Sequence, residues 1–70
     1  MAQYAMLLDA GRNVIGNAER SGDTWRGHVA DRPFEAWRGN LVSVAKETCA
    51  AVVSACFVHE PIWRYGVVIC

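Results

Sequence analysis

The residues that could do chemistry here are few. Cys56 and His59 stand three apart, a spacing that suits two metal ligands on one face of a helix. No C-x-x-C pair accompanies them. Cys49 and Cys56, if helical, share a face but lie about 10.5 Å apart along its axis at about 1.5 Å per residue. That is too far for one zinc ion or one disulfide. The cysteines therefore read as small, reduced core hydrophobes, and no metal site is assigned. Ser43-Val44-Ala45-Lys46 has the S-x-x-K spacing of serine acyl-transfer enzymes, in which the lysine activates the serine. The companion motifs of those enzymes are absent, and a serine at a helix start followed by a solvated lysine accounts for the match. His28 with Glu19 or Asp23 could form a polar cluster on a sheet face, but no third catalytic group joins it. No catalytic residue and no cofactor is assigned.

Two binding chemistries remain. Trp37-Arg38 and Trp63-Arg64, with Tyr65 and Phe57, are the residue types of protein-interface hot spots. They point to a protein partner or a second copy of the chain. Asn17, Thr24, Arg26 and His28 could instead decorate one sheet face and meet nucleic acid, with Trp37 beside them. Charge ranks that reading second. Seven basic residues balance seven acidic ones, and Glu19, Asp23, Asp31 and Glu35 lie among the arginines concerned. Neutralising those arginines weakens the phosphate attraction that dominates nucleic-acid affinity. Six of the seven basic residues are arginine, whose planar fork suits carboxylate and phosphate and stacks on aromatic rings.

The elements that must position these groups follow from periodicity. Tyr4, Met6 and Leu8 alternate with Ala5 and Leu7, and Asp9 to Asn13 supplies turn chemistry. Val14, Gly16, Ala18 and Arg20 then form one face of a strand, with Ile15, Asn17 and Glu19 on the other. After Gly22-Asp23 the alternation resumes, with Trp25, Gly27 and Val29 against Thr24, Arg26, His28 and Ala30. A two-residue loop with glycine first suits a type II′ turn and pairs Glu19 with Arg26 and Arg20 with Trp25. A loop of Ser21-Gly22 would pair Ala18 with Trp25 instead, with the same face parity. The core face, Val14, Gly16, Ala18, Trp25, Gly27 and Val29, is then a shallow trough that the Trp25 ring can occupy.

Asp31-Arg32-Pro33 reads as a turn and Phe34 to Arg38 as a strand, with Pro33 suiting a sheet edge. From about Leu41 to Phe57, helical spacing aligns Leu41, Ala45, Cys49, Val52 and Cys56 on one stripe, opposite Ser43, Lys46, Glu47, Ala50 and Ser54. Phe57 falls toward the polar side. Asn40 or Ser43 is the N-cap, and Pro61 bars helix beyond His59 or Glu60. Ile62 to Cys70 alternates as a terminal strand that is apolar on both faces.

The expected architecture is a single α+β domain over 1–70: a small antiparallel sheet of three to four strands packed on one helix (about 41–57), with a C-terminal strand. Three strands followed by a helix over Val14 to Val53 resembles, in element order, plant ethylene-response-type DNA-binding domains and the arm-site domains of phage integrases. That resemblance implies a sheet laid in the major groove. In composition the chain is similar to small orphan proteins of actinobacteria and their phages, a resemblance that implies an accessory protein binding a host or partner protein. Seventy residues make a marginal core, so apolar surface shared with a partner is expected. Asp9 interrupts the first apolar run and no stretch is long enough to span a bilayer, so a cytoplasmic protein without membrane contact is expected.

Overall fold

The computed structural model describes residues 3–60, which form one antiparallel sheet and one helix. The strands are β1 (Tyr4–Leu8), β2 (Val14–Ser21), β3 (Thr24–Val29), β4 (Arg32–Trp37) and β5 (Ser54–Val58), and the helix is α1 (Leu41–Thr48). Their spatial order is β4-β3-β2-β1-β5. The expected α+β class holds, with a sheet one strand larger than the three to four anticipated.

The first four strands form a meander because each connection carries turn chemistry. Between β1 and β2, the Asp9 carboxylate accepts from the backbone N–H groups of Gly11 and Asn13, both at 2.9 Å. Between β2 and β3, Gly22 takes φ 62 while Asp23 stays at negative φ, the sign pattern of a type II′ turn. The register is the one a Gly22-Asp23 loop dictates: Glu19 faces Arg26 and Arg20 faces Trp25. Between β3 and β4 the loop is Ala30-Asp31, both at positive φ, so Arg32 and Pro33 belong to the strand and not to the turn. β4 is the edge strand that Pro33 suits.

The side that carries α1, the helix face, holds the trough. Phe34, Gly27, Ala18, Ala5 and Phe57 stand opposite one another in one row across all five strands. With only small residues at its centre, the row leaves room for the buried Trp25 ring, which meets Phe57 at 5.7 Å between centroids. Gly27 is required for a second reason: a Cβ there would collide with the Asn17 carbonyl oxygen and the Ala18 backbone. A bulge opposite Leu7 and Leu8 shifts the start of β2. In consequence Ile15, not Val14, packs against the core.

The helix is shorter than its periodicity suggested. It ends at Thr48, Cys49 is its extended C-cap, and the stretch expected to complete it forms β5. Two physical reasons account for this. Thr48, Cys49, Val52 and Val53 are poor helix formers. β1, apolar on both sides, also needs a strand on each flank, and Ser54 to Val58 fills the second. Asn40 is the N-cap, without a side-chain hydrogen bond, and Ser43 lies within the helix. α1 lies over β4 and β3, burying Leu41 and Ala45, while Val52 in the following loop joins the same core. Chain 38–53 thus crosses the sheet from one edge to the other. The strand expected over Ile62 to Cys70 lies outside the described residues. Among those described, no helix is long and apolar enough to cross a membrane.

Candidate partner-binding surfaces

The face opposite α1, the far face, is set by the same alternation. Its cross-strand rows run Val58, Tyr4, Glu19, Arg26, Glu35 and, next to it, Cys56, Met6, Asn17, His28, Pro33. Asn17, Thr24, Arg26 and His28, expected to share a face, do so. Between the two rows lies a shallow depression of about 310 Å³. The Ala18–Gly27 backbone pair forms its floor, and Tyr4, Asn17, Glu19, Arg26 and His28 form its walls.

Arg26 stands directly between two glutamates, Glu19 on β2 and Glu35 on β4. Its Nε donates to Glu35 Oε2 at 2.8 Å. Both side chains are exposed, so the pair contributes at most about 1 kcal/mol, but it occupies the guanidinium. His28 faces Asn17 across the strands and shares the depression with Glu19. Asp23 is not its partner: that carboxylate lies 3.5 Å from Arg38 Nη1.

The residues expected to bind a protein do not form one surface. Trp37 sits at the end of β4 opposite Thr24, on the far face, and is 61% exposed. Phe57 sits on β5 at the other edge of the sheet, on the helix face, and is 53% exposed. Four strand spacings separate the two edges, about 19 Å at about 4.8 Å each. Val53, also exposed, lies just before β5, its backbone N–H donating to the Leu8 carbonyl, and carried no sequence signal beyond its apolarity. Trp63, Arg64 and Tyr65 lie outside the described residues. Tyr4, a wall of the depression, was legible only through the Asp9–Asn13 turn, which lays β1 beside β2.

The candidate chemical groups separate in the same way. Ser43 and Lys46 are both exposed on α1, and neither lines the depression. Cys49 is a free, half-buried thiol at the helix end. Cys56 is disulfide-bonded, contrary to the expectation that all cysteines are reduced core residues. On a strand its side chain points to the far face beside Met6 rather than into a helix-packed core. Among the described residues, no group of three or more His, Cys, Asp and Glu converges as a metal site would require. No family model, no curated protein and no solved structure matches the chain.

Proposed function

We propose that the chain is a small, non-catalytic interaction module that binds a protein partner or a second copy of itself through the Trp37–Arg38 end of β4. The exposed Trp37 carries this reading. An indole 61% exposed costs apolar hydration that a binding partner relieves, and tryptophan and arginine are the residues most enriched in interface hot spots. Arg38 is held near it by a long, exposed contact to Asp23 and is available to a partner carboxylate. Phe57 is a separate contact on the opposite edge.

Sedimentation velocity across protein concentration tests the self-association form of the reading, with Trp37→Ala as the comparison. The expected outcome is a concentration-dependent rise in mass that Trp37→Ala weakens by about thirtyfold, the scale of a hot-spot truncation of about 2 kcal/mol. A monomer at every concentration, together with partner capture unchanged in Trp37→Ala, counts against the β4 edge. A DNA-binding module is the second reading, favoured by Asn17, Thr24, Arg26 and His28 sharing the far face. The Glu19 and Glu35 carboxylates flanking Arg26 weigh against it. It requires retention on duplex DNA at low salt and steep loss as salt rises.

A further inference from the structure

β4 ends the sheet, and among the described residues no strand lies outside it. Alternation sorts its backbone as well as its side chains. The Arg38 N–H donates to the Asp23 carbonyl, which turns Arg38 toward β3 and sets the alternation along the strand. Phe34 and Ala36 then bond to β3, while the backbone groups of Pro33, Glu35 and Trp37 face outward. Two places on that edge need no partner. Pro33 has no N–H, and the Trp37 carbonyl already accepts from the Asn40 N–H at 2.8 Å. What remains is the N–H of Glu35 and of Trp37 and the carbonyl of Pro33 and of Glu35.

That set is complementary to itself. With two copies of β4 antiparallel and Glu35 opposite Glu35, each Glu35 N–H meets the other Glu35 carbonyl, and each Trp37 N–H meets the other Pro33 carbonyl. The bond that Pro33 cannot donate falls where the Trp37 carbonyl is already taken. Sliding one copy by two residues loses this match. Glu35 N–H then meets the occupied Trp37 carbonyl, or Pro33 leaves the Glu35 carbonyl without a donor. In the matched register the exposed Trp37 indole lies beside the exposed Pro33 ring of the second copy, at the about 5 Å spacing of directly opposed side chains. Glu35 opposite Glu35 is a like-charge contact, but each carboxylate already accepts from Arg26 Nε at 2.8 Å. The turn after the strand leaves room, since a Cβ on Gly39 would meet nothing within 4 Å.

We infer that β4 pairs antiparallel with β4 of a second copy, centred on Glu35, and joins the two sheets across a two-fold axis. The pairing rests on the reading of the β4 end as the contact surface and names its occupant. An isotope-filtered NOE experiment on mixed labelled and unlabelled full-length chains tests it. A contact between Phe34 Hα and Ala36 Hα of the other copy is expected, because residues flanking a hydrogen-bonded pair approach most closely. Sedimentation of variants supplies the energetics. Glu35→Gln keeps the edge N–H, removes the central like-charge contact and is expected to strengthen association severalfold. Arg26→Gln leaves that contact unscreened and is expected to weaken association by a similar factor. Glu35→Pro removes the edge N–H without touching the β3 ladder. Relative to Glu35→Gln it is expected to associate about thirtyfold more weakly, which is two hydrogen bonds of about 1 kcal/mol each. Unchanged amide dispersion in β1 to β3 shows that it folds; if it does not fold, the two charge variants decide. A strict monomer, absence of the contact between copies, or charge variants that shift association in the same direction overturns the pairing. If Glu35→Pro associates as Glu35→Gln does while Trp37→Ala weakens association, the pairing fails and the Trp37 reading stands. If the contact between copies is present and Trp37→Ala is neutral, that reading fails and the pairing stands.

Discussion

At the scale of single residues, Asp9 shows how one carboxylate fixes a loop whose residues Ala10 to Asn13 are all exposed. Its Oδ1 accepts from the backbone of Gly11 and Asn13 and from Asn13 Nδ2 at 3.2 Å, while Arg12 takes φ 63. Hydrogen bonding from the Asn13 backbone, aided by the Asn13 side chain and the Gly11 backbone, holds the Asp9 carboxyl below its ordinary value of 3.8, against a smaller opposing effect of desolvation. A depressed folded-state value stabilises the protein above the unfolded pKa, and that contribution is lost as pH falls through the folded one. Asp9→Asn keeps an acceptor oxygen but cannot titrate. The stability difference between the natural chain and Asp9→Asn should therefore be constant above the ordinary carboxylate range and shrink as acid protonates Asp9. Urea unfolding of both proteins across an acid pH series measures it. A difference that grows on acidification would contradict the loop geometry. The Asp9–Asn13 turn was legible in the sequence because Asp and Asn flank a glycine, and only through that turn, which lays β1 beside β2, was the place of Tyr4 opposite Glu19 legible.

At the scale of elements, what could be read depended on whether one local pattern had a rival. For the β2–β3 hairpin the two loop placements, Gly22-Asp23 and Ser21-Gly22, share one face parity, so alternation gives the faces, and the positive φ at Gly22 followed by Asp23 selects the register. The trough under Trp25 was likewise legible, because Gly16, Ala18 and Gly27 recur at the strand period on one face. Chain 49–58 fits two patterns at once. Its apolar residues lie on a helical stripe, yet Ser54 to Val58 also pairs as a strand, and the poor helix formers around Cys49 together with the unmet flank of β1 decide between them. Phe57 on the polar side of the proposed helix was the local sign of conflict; on β5 it faces the trough. The β3–β4 turn carries a different tension. Ala30 and Asp31 adopt φ 50 and φ 63, a conformation that favours Asn-Gly in a two-residue hairpin loop. Ala30→Asn with Asp31→Gly should stabilise the fold by about 1 kcal/mol, relieving left-handed strain of about 1–2 kcal/mol per residue in part. Thermal unfolding would register this as a midpoint about 4–8 °C higher. An unchanged or lower midpoint would show that the turn is not strained as these angles imply.

At the scale of the whole molecule, the helix covers the β4–β3 half of its face, and the other half is covered by the loop that carries Val52 together with the Trp25–Phe57 pair. The Trp25 ring starts on β3, lies over the small side chains of Ala18 and Ala5, and reaches Phe57 on β5. One aromatic pair thus ties an inner strand to an outer strand that bonds, among the described residues, only to β1. The rings meet at 49°, a tilted contact of the kind that contributes about 0.5–1.5 kcal/mol beyond the area it buries. Phe57→Ala should therefore cost about 1–2 kcal/mol, modest for an aromatic truncation because half of the ring already meets water. Where the loss falls is the sharper test. An outer strand deprived of its tie opens locally before the sheet unfolds, so hydrogen exchange should quicken most at the β5 amides and least at those of β3. Equal acceleration in β3 and β5 would mean that Phe57 supports the core as a whole. No acceleration at all would mean that the ladder to β1 and the Cys56 disulfide hold β5 without the ring contact.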